Sequence, residues 1–503
     1  MNKKQPQPNF LNDLNISQDA ENKLSVILDR TVKGDKTILR TPFLKDESQE
    51  SILELFDKWF DSHSKDLSQE LKELEMLNRS KFGPRSIQKN WEERKKSVYD
   101  YFRSSDISHS LDKVKPSQRG RLRPISYANA IQLLKNNTSS GIPFMKKKGL
   151  VKDETLSNIN NLLQREDPCV MFTRTQEGGK TRAVWGYPIA DTLEEMCYYK
   201  PVLDYQRLQP WRSAIVSPES VDAALTKLID KAQATKQKMV SMDFSSYDAS
   251  VSPALQEYAF EYIKDLFQNS ESNRIDRIRE RFANIGLITP DGVLNVPHGV
   301  PSGSTFTNEV DSLVQWIIAS NNSALVDLET IQIQGDDQAS ISKDPEKLFE
   351  AFEKYGLEVN REKSYTSDTF VVYLQNLYSS NYRGKDGQIR GIYPLYRALG
   401  RLIFMERFND FSEYDIEGKD FFAIRALSIL ENTRNHPKFE EFVKFIASHD
   451  KYGLKVTGKS ITEYVKFLKD SAGNQEIQKY RYGDDLNGIK GFRSYQVLAE
   501  SEL

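Results

Sequence analysis

Apolar residues recur at helical spacing in the first and last parts of the chain, and short alternating runs occupy the middle. In ESILELFDKWF, Ile52, Phe56, Trp59 and Phe60 share one helical stripe, and Leu67, Leu71 and Leu74 continue that spacing. So short a pattern suits a packed helix or a brief coiled coil. From 386 onward the chain reads almost wholly helical, through LYRALGRLIFMERF, FFAIRALSIL and FEEFVKFIAS. Between 240 and 380, β-rich runs alternate with helices. The pattern predicts an α+β centre with a helical terminal unit.

Four stretches of the middle carry chemistry. In ETIQIQGDDQASIS, Ile331 and Ile333 alternate with polar residues before Gly335, and Ala339 and Ile341 alternate after it, so a β-hairpin with acids at its turn is expected. A hairpin tip projects carboxylates from a stiff base, as metal coordination requires. Upstream, in KMVSMDFSSYDAS, apolar Met239, Val240 and Met242 lead to Asp243, with Asp248 on the next turn. Such a strand end can set Asp243 beside Asp336 and leave Asp248 facing a substrate. In HGVPSGSTFTNEVDSLVQWIIAS, Gly299, Pro301 and Gly303 make a flexible loop. Val310, Leu313, Val314, Ile317 and Ile318 then give a helix its buried stripe, with Asn308 at its head pointing away from that stripe. In DPEKLFEAFEKYGLEVNREKS, Asp344 caps a helix, Pro345 opens it and Gly356 stops it.

Composition narrows the classes. The 503 residues are ample for a deep cleft, and no internal repeat or long linker is evident, which predicts interleaved subdomains. Seventy basic against 72 acidic residues leave a net charge of -2, so any attraction for phosphate must be local. One local excess stands out, from Arg79 to Arg123: thirteen Lys or Arg against five acids, with Trp91, Tyr99, Tyr101 and Phe102 interspersed. It reads either as a solvated surface or as a phosphate-tracking face with stacking partners. Cys169 and Cys197 are the only cysteines and form no CxxC pair, which argues against a zinc site or disulfide framework and fits a reducing setting. No signal-peptide core or membrane-length apolar run is seen.

A second Gly-Asp-Asp occurs in EIQKYRYGDDLNGIKGFRS. No apolar alternation surrounds Asp484 and Asp485, so they read as a solvated turn.

In order and spacing, the first set resembles viral RNA-dependent RNA polymerases. Asp243-x4-Asp248 is similar to their motif A, Ser302-Gly303-x3-Thr307-Asn308 to motif B, and Gly335-Asp336-Asp337 to motif C. The stretch with Lys363 resembles motif D, and TFVVYLQNLYS is similar to motif E, although Leu374-Gln375 lacks the basic residue often found there. MFTRTQEGGKTRAVWGYP resembles motif F through Arg174, Lys180 and Arg182, and SSGIPF resembles motif G through Ser140, Gly141 and Pro143. DFSSYD with RAVWGYP looks most like polymerases of picobirnaviruses, then partitiviruses, carriers of segmented double-stranded RNA.

The resemblance implies an α+β right-hand polymerase. Its parts would be the N-terminal region and fingers over 1–185, palm over 186–255, a fingers insertion over 256–296, palm over 297–385, a helical thumb over 386–473 and a C-terminal tail over 474–503. It implies two Mg²⁺ or Mn²⁺ ions bridged by Asp243 and Asp336, with Asp337 as helper or occasional ligand. Arg174, Lys180 and Arg182 would bind the triphosphate. Asp248 and Asn308 would sense the ribose 2′-hydroxyl, with Ser302, Gly303 and Thr307 around them. Ser140, Gly141 and Pro143 would contact template. Lys363 is either a proton donor to pyrophosphate or a surface lysine. The expected partners are RNA template, product duplex, nucleoside triphosphates and a viral capsid protein, without a membrane, in the virion interior and host cytoplasm.

Primer-free initiation is also implied, and the tail offers Tyr480, Tyr482, Phe492 and Tyr495 beside Lys479, Arg481, Lys490 and Arg493. These aromatics either steady the first nucleotides or pin the tail to the thumb. Other classes are distinguishable. A reverse transcriptase would block the ribose edge with a bulky aromatic, and Tyr247 is on the wrong phase for that. A structural RNA-binding protein would not need acids on two strands. A two-metal nuclease would not need a 2′-hydroxyl reader.

Overall fold

The computed structural model describes residues 9–103, 107, 109–472 and 488–501. Asp484, Asp485, Lys479, Tyr480, Arg481 and Tyr482 therefore lie outside the described residues. The chain forms two compact units that are interleaved in sequence. The first takes 1–34, 90–173 and 182–374; the second takes 35–89, 174–181 and 375–503.

The strands are, in chain order, β1 (Cys169–Thr175), β2 (Thr181–Gly186), β3 (Lys238–Met242), β4 (Phe244–Ser245), β5 (Leu287–Thr289), β6 (Gly292–Leu294), β7 (Gln332–Gln334), β8 (Asp337–Ser342), β9 (Glu358–Val359), β10 (Tyr365–Ser367), β11 (Phe370–Tyr373) and β12 (Asn376–Ser379). In the first unit an antiparallel sheet runs β10-β3-β8-β7. Its register pairs Met242 with Gln338, Val240 with Ser340 and Lys238 with Ser342. Strands β7 and β8 form the expected hairpin, closed by the Gln334–Asp337 pair. A two-residue turn of this kind needs a left-handed residue, and Gly335 supplies it at φ +63°.

The alternation along that hairpin does not separate a wet face from a dry one. Ile331, Ile333, Ala339 and Ile341 are buried, and so are Gln332, Gln338, Ser340 and Ser342. The polar face is buried because it meets polar partners. Gln332 donates to the Pro210 carbonyl (2.8 Å) and accepts from Ser213, while Gln338 donates to Gln315 (2.7 Å).

A second sheet runs β2-β1-β5-β6, with β1 parallel to β5 and β5 antiparallel to β6. The segment 256–296 thus extends the sheet begun by β1 and β2. It also contributes most of helix Pro253–Leu266 and all of helix Ser272–Asn284. Helix Thr307–Asn321 buries the predicted stripe of Val310, Leu313, Val314, Ile317 and Ile318, and it buries Glu309, Asp311, Ser312 and Gln315 as well. A helix wrapped on nearly all sides keeps its polar groups only by pairing them. Glu309 accepts from Arg212 (2.7 Å) and from Gln206.

In the basic stretch 79–123, Trp91 is buried and Tyr99, Tyr101 and Phe102 are half-buried against neighbouring residues, which limits the ring surface left for stacking. Trp91 and Tyr99 donate to Asp291 (2.9 and 2.7 Å). Tyr101 and Phe102 pack against Trp185, at 5.9 and 5.7 Å between ring centroids. Arg94 is buried too and donates to Thr173 (2.5 Å). The sheet of β1 and β2 needed an apolar cover, and these residues supply it.

The second unit is mainly helical. Helix Gln49–His63 buries Ile52, Phe56 and Phe60, and leaves Trp59 half-buried. Phe56 meets Tyr396 (4.7 Å) and Phe442 (5.6 Å), so this is a packed helix and not a coiled-coil strand. Each such buried ring contributes about 1.5–3 kcal/mol. Buried Glu75 accepts from the Leu395 and Tyr396 amides (2.7 and 3.0 Å), a carboxylate at the positive end of helix Leu395–Ile403. Helices Gly418–Glu431, Phe439–His449, Gly458–Ala472 and Arg493–Glu500 complete the unit. The last is docked by Arg493 on Glu440 (2.7 Å) and by the Ser494 amide on Glu431 (2.9 Å). Phe492 joins the cluster of Phe421, Tyr464 and Phe467. Phe492 and Arg493 are thus occupied in holding the C-terminal helix to its neighbours. Tyr495 is half-buried, and Lys490 is exposed.

Candidate active site

Three segments far apart in sequence place their acids together. Met242 pairs with Gln338, so Asp243, the next residue, emerges at the same end of the sheet as the Gly335–Asp336–Asp337 turn. A loop downstream secures that emergence. The Asp243 amide donates to Ser364 (3.0 Å), and the Asn360 amide donates to the Asp243 carbonyl (2.8 Å). Lys363 sits exposed in this same 360–364 loop.

The turn is clamped from helix 307–321. The Gly335 amide donates to Ser312 (2.8 Å), and its carbonyl accepts from Gln315 (2.7 Å). A Cβ on Gly335 would stand 2.9 Å from the Asn308 amide nitrogen, which shows how closely Asn308 covers the turn.

The electrostatics are those of crowded carboxylates. Partial loss of water raises the Asp336 carboxyl, although its tip stays open to solvent. The Asp248 charge raises it further; a backbone hydrogen bond and Arg182 pull it down; and Asp243 adds a smaller upward push. Burial, then the charges of Asp336 and Asp243, push Asp337 up to about 7. Acids that repel one another in a poorly hydrated corner suit a multivalent cation, and hard cations take oxygen ligands. The donor set therefore fits divalent metal, with Asp243, Asp336 and Asp337 to hold it. As the side chains stand, no group of three or more His, Cys, Asp or Glu among the described residues is arranged as a metal site.

Beside these acids stands a second network. Asp248, on the short helix Tyr247–Ser250, accepts from Ser302, which in turn is hydrogen-bonded to the Tyr101 hydroxyl (3.0 Å). Buried Asp311 approaches Asp248 from helix 307–321. Burial, then the Asp248 charge and a hydrogen bond with Asp248, hold its carboxyl well above the usual range. The loop before the helix admits no side chain at Gly303, where a Cβ would fall 2.2 Å from the Trp185 carbonyl and φ is +147°. Thr307 donates to the Pro301 carbonyl (3.0 Å) and accepts from the Gly303 amide (3.3 Å). Tyr247 is buried and donates to the Asp311 carbonyl (2.8 Å), so its ring is committed to the core.

The basic residues divide. Arg182 is exposed in the first unit and acts on Asp336. Arg174 and Lys180 are exposed in the stretch 174–181, around a tip where Gly178 and Gly179 are left-handed. Ser140 is fully buried and accepts from the Lys146 amide (3.1 Å), within its own loop. Gly141 is buried, since a Cβ would lie 2.6 Å from the Tyr187 carbonyl, and Pro143 is half-exposed.

Several supporting residues escape sequence reasoning: Tyr101, Glu195, Asp311, Ser312, Gln315, Asn360 and Ser364. Glu195, buried on helix Ile189–Gln206, accepts from Ser304 and the Thr305 amide (3.2 Å) and so ties the loop before helix 307–321. Ser312 and Gln315 lie off the apolar stripe of helix 307–321, and Tyr101, Asn360 and Ser364 lie on no long helix, so no periodic signal marked them.

Comparison with known proteins agrees with this arrangement. The family model "Viral RNA-dependent RNA polymerase" matches residues 88–391. The chain is 31% identical to a potential RNA-dependent RNA polymerase of human picobirnavirus, over 91% of this chain and 89% of that one. It is 27% identical to an RNA-directed RNA polymerase of Cryptosporidium parvum virus 1, over 39% of this chain and 40% of that one. The crystal structure of a human picobirnavirus RNA-dependent RNA polymerase superposes with a TM-score of 0.82 at 27% identity, covering 99% of this chain and all of that one. No helix among the described residues is long and apolar enough to cross a membrane. With its acids on β3 and the β7–β8 turn, its α+β right-hand polymerase fold and these relatives, the chain belongs to the viral RNA-dependent RNA polymerases.

Proposed function

We propose that the chain copies RNA by template-directed transfer of ribonucleotides at the Asp243–Asp336–Asp337 corner, for replication and transcription of a double-stranded RNA genome. The observation that carries this is the Met242–Gln338 register, which brings Asp243 to the turn that Asn308 covers. Asp243 and Asp336 hold two Mg²⁺ or Mn²⁺ ions, with Asp337 as their helper. When bound, these ions supply charge neutralisation on the phosphates and ease loss of the 3′-hydroxyl proton.

The chain's own residues do the rest. Arg182, with Arg174 and Lys180, orients triphosphate oxygens through charge-assisted hydrogen bonds. Asp248 accepts from the ribose 2′-hydroxyl and Asn308 donates to it. Ser302 and Asp311 hold the Asp248 carboxylate, and Gly303 and Thr307 shape the loop that carries Ser302. Lys363 gives a proton to the departing pyrophosphate. The loop of Ser140, Gly141 and Pro143 guides template by its backbone shape and the rim of Pro143, since the Ser140 hydroxyl is used internally.

We assign fingers to 1–185 and 256–296, palm to 186–255 and 297–385, thumb to 386–473 and a tail to 474–503. Initiation without a primer, a capsid-protein partner and action inside the virion and in host cytoplasm belong to the same reading.

The test is incubation with a defined RNA template, four ribonucleotides and Mg²⁺. Extension is expected, falling to near background in Asp336→Ala and persisting in Asp484→Ala with Asp485→Ala. Template degradation, or an active Asp336→Ala protein, would overturn the reading.

A further inference from the structure

The second unit holds a cavity of about 560 Å³ that shares no residue with the site on β3 and β8. Its walls are the loop 41–47, helices 418–431 and 439–449, and the turn 450–454. A volume of this size is that of a small-molecule site.

The lining is unusual in one group. Arg425, on helix 418–431, is half-buried, and partial loss of water pushes its guanidinium down to about 10. Among the described residues no acceptor takes a hydrogen bond from it; Tyr464 and Glu406 favour its charge, while Arg401 and Arg85 oppose it. Three other shielded arginines are paired with acids, Arg212 with Glu309 (2.7 Å), Arg281 with Asp191 (2.9 Å) and Arg85 with Glu177 and Glu406 (2.7 and 2.6 Å), whereas buried Arg94 has only the Thr173 hydroxyl and lines no part of this cavity. A half-buried guanidinium with no protein acceptor, facing a cavity, has its fork open to an anion.

Further cations stand on the same walls. Lys45, Lys419 and Lys451 line the cavity, and Lys419 and Lys451 lie 5.9 and 5.4 Å from the exposed ring of Tyr452. Most of the acids there are engaged. Asp450 accepts from the Tyr452 and Leu454 amides (2.9 and 3.1 Å), and Glu47 accepts from Ser51 (2.7 Å), while Lys419 is also paired with Glu417 (2.9 Å) at the surface. Phe43, Phe422 and Tyr452 add flat apolar surface. Phosphate oxygens match the guanidinium fork, and an aromatic base matches the rings.

We propose that this cavity binds a free nucleotide, with its phosphates on Arg425 and the lysines and its base on the aromatic wall.

The experiment uses the full chain in EDTA with 8-azidoadenosine triphosphate, photolabelling and mass mapping. Adducts are expected within 419–454, competed by unlabelled ATP and more weakly by inorganic tripolyphosphate. Arg425→Met, which keeps the stem and removes the fork, should cut labelling about tenfold. Lys419→Gln with Lys451→Gln, at exposed positions, should cut it severalfold at an unchanged melting transition. The proposal fails if no adduct maps to 419–454, or if labelling survives Arg425→Met at an unchanged melting transition. Should Arg425→Met not fold, undiminished labelling of the double lysine variant decides against the proposal. Displacement by a 5′-triphosphorylated RNA oligomer more than tenfold better than by ATP would assign the cavity to an RNA end and likewise overturn it. Template-directed extension is a separate readout, so failure here leaves the polymerase reading standing.

Discussion

At the scale of single residues, the sharpest constraint is Gly335. Its φ of +63° alone makes alanine cost about 1–2 kcal/mol. The added methyl would also meet the Asn308 amide at 2.9 Å. Gly335→Ala should therefore displace Asn308 and lower ribose-over-deoxyribose discrimination, as Asn308→Ala should by about tenfold or more. In an Asn308→Ala background, Gly335→Ala should change discrimination no further. Single-nucleotide kinetics measure this, and a Gly335→Ala enzyme that loses stability while keeping wild-type discrimination contradicts it.

Glu195 gives a pH prediction of definite sign. Burial lifts its carboxyl to about 8, from about 4.5 when free, while hydrogen bonds from Ser304 and the Thr305 amide and the Arg281 charge oppose the lift. The folded state thus binds a proton that the unfolded state has released between those values. Its contribution to stability is complete below about 4.5 and is lost as pH rises through about 8, with a slope of at most about 1.4 kcal/mol per pH unit. Glu195→Gln should flatten that fall. Urea unfolding of both proteins from pH 5 to 8 tests it, and parallel curves would sink the idea.

At the scale of elements, the sequence was legible wherever period and punctuation agreed. The β7–β8 hairpin, helix 307–321 and the helix Pro345–Glu353 capped by Asp344 all follow from alternation, stripe and cap. So do the order of the acids and their meeting at one sheet end. What was not legible is how the polar positions are spent. Ser312 and Gln315 look like the wet side of an amphipathic helix, yet both are buried against Gly335. Trp91, Tyr99, Tyr101 and Phe102 look available for stacking because basic residues surround them, but they cover a sheet whose partner strands lie over a hundred residues away. Non-local partners leave no period in the chain. The clamp itself is testable. Gln315→Ala strands both the Gly335 carbonyl and Gln338, a loss of about 1–3 kcal/mol. Because that carbonyl belongs to the acid-bearing turn, kcat should fall about tenfold or more while KM for nucleotide stays near wild type. A rise in KM alone would make the helix a substrate-binding element and not a positioning one.

For the whole molecule, the helix Arg493–Glu500 changes what a tail experiment means. Deleting 474–503 removes a docked helix together with any initiation surface, so both functions would fall for different reasons. Substitution separates them. Tyr480→Ala with Tyr482→Ala should lower primer-free initiation severalfold and spare extension of a preformed primer-template. Phe492→Ala, within the cluster of Phe421 and Tyr464, should cost about 1–3 kcal/mol and depress both assays alike. Equal losses in the double tyrosine variant would leave the tail a purely structural element.

The interleaving of the two units bears on how the protein is made. The chain passes from one unit to the other five times, at 34/35, 89/90, 173/174, 181/182 and 374/375. When the ribosome has finished β3, its neighbours β8 and β10 are about 100 residues away, roughly 5–20 s of synthesis. During that interval both edges of the β3 segment lack their strand partners, although Val240 and Met242 share a core cluster with earlier residues such as Leu193 and Trp211, and an unpaired edge is the condition in which nascent chains aggregate or recruit chaperones. A chain released before residue 335, for instance from a nicked message, lacks the β7–β8 turn. On the function proposed above such a fragment has no means of copying RNA, and translation past that turn becomes in itself a checkpoint on the enzyme.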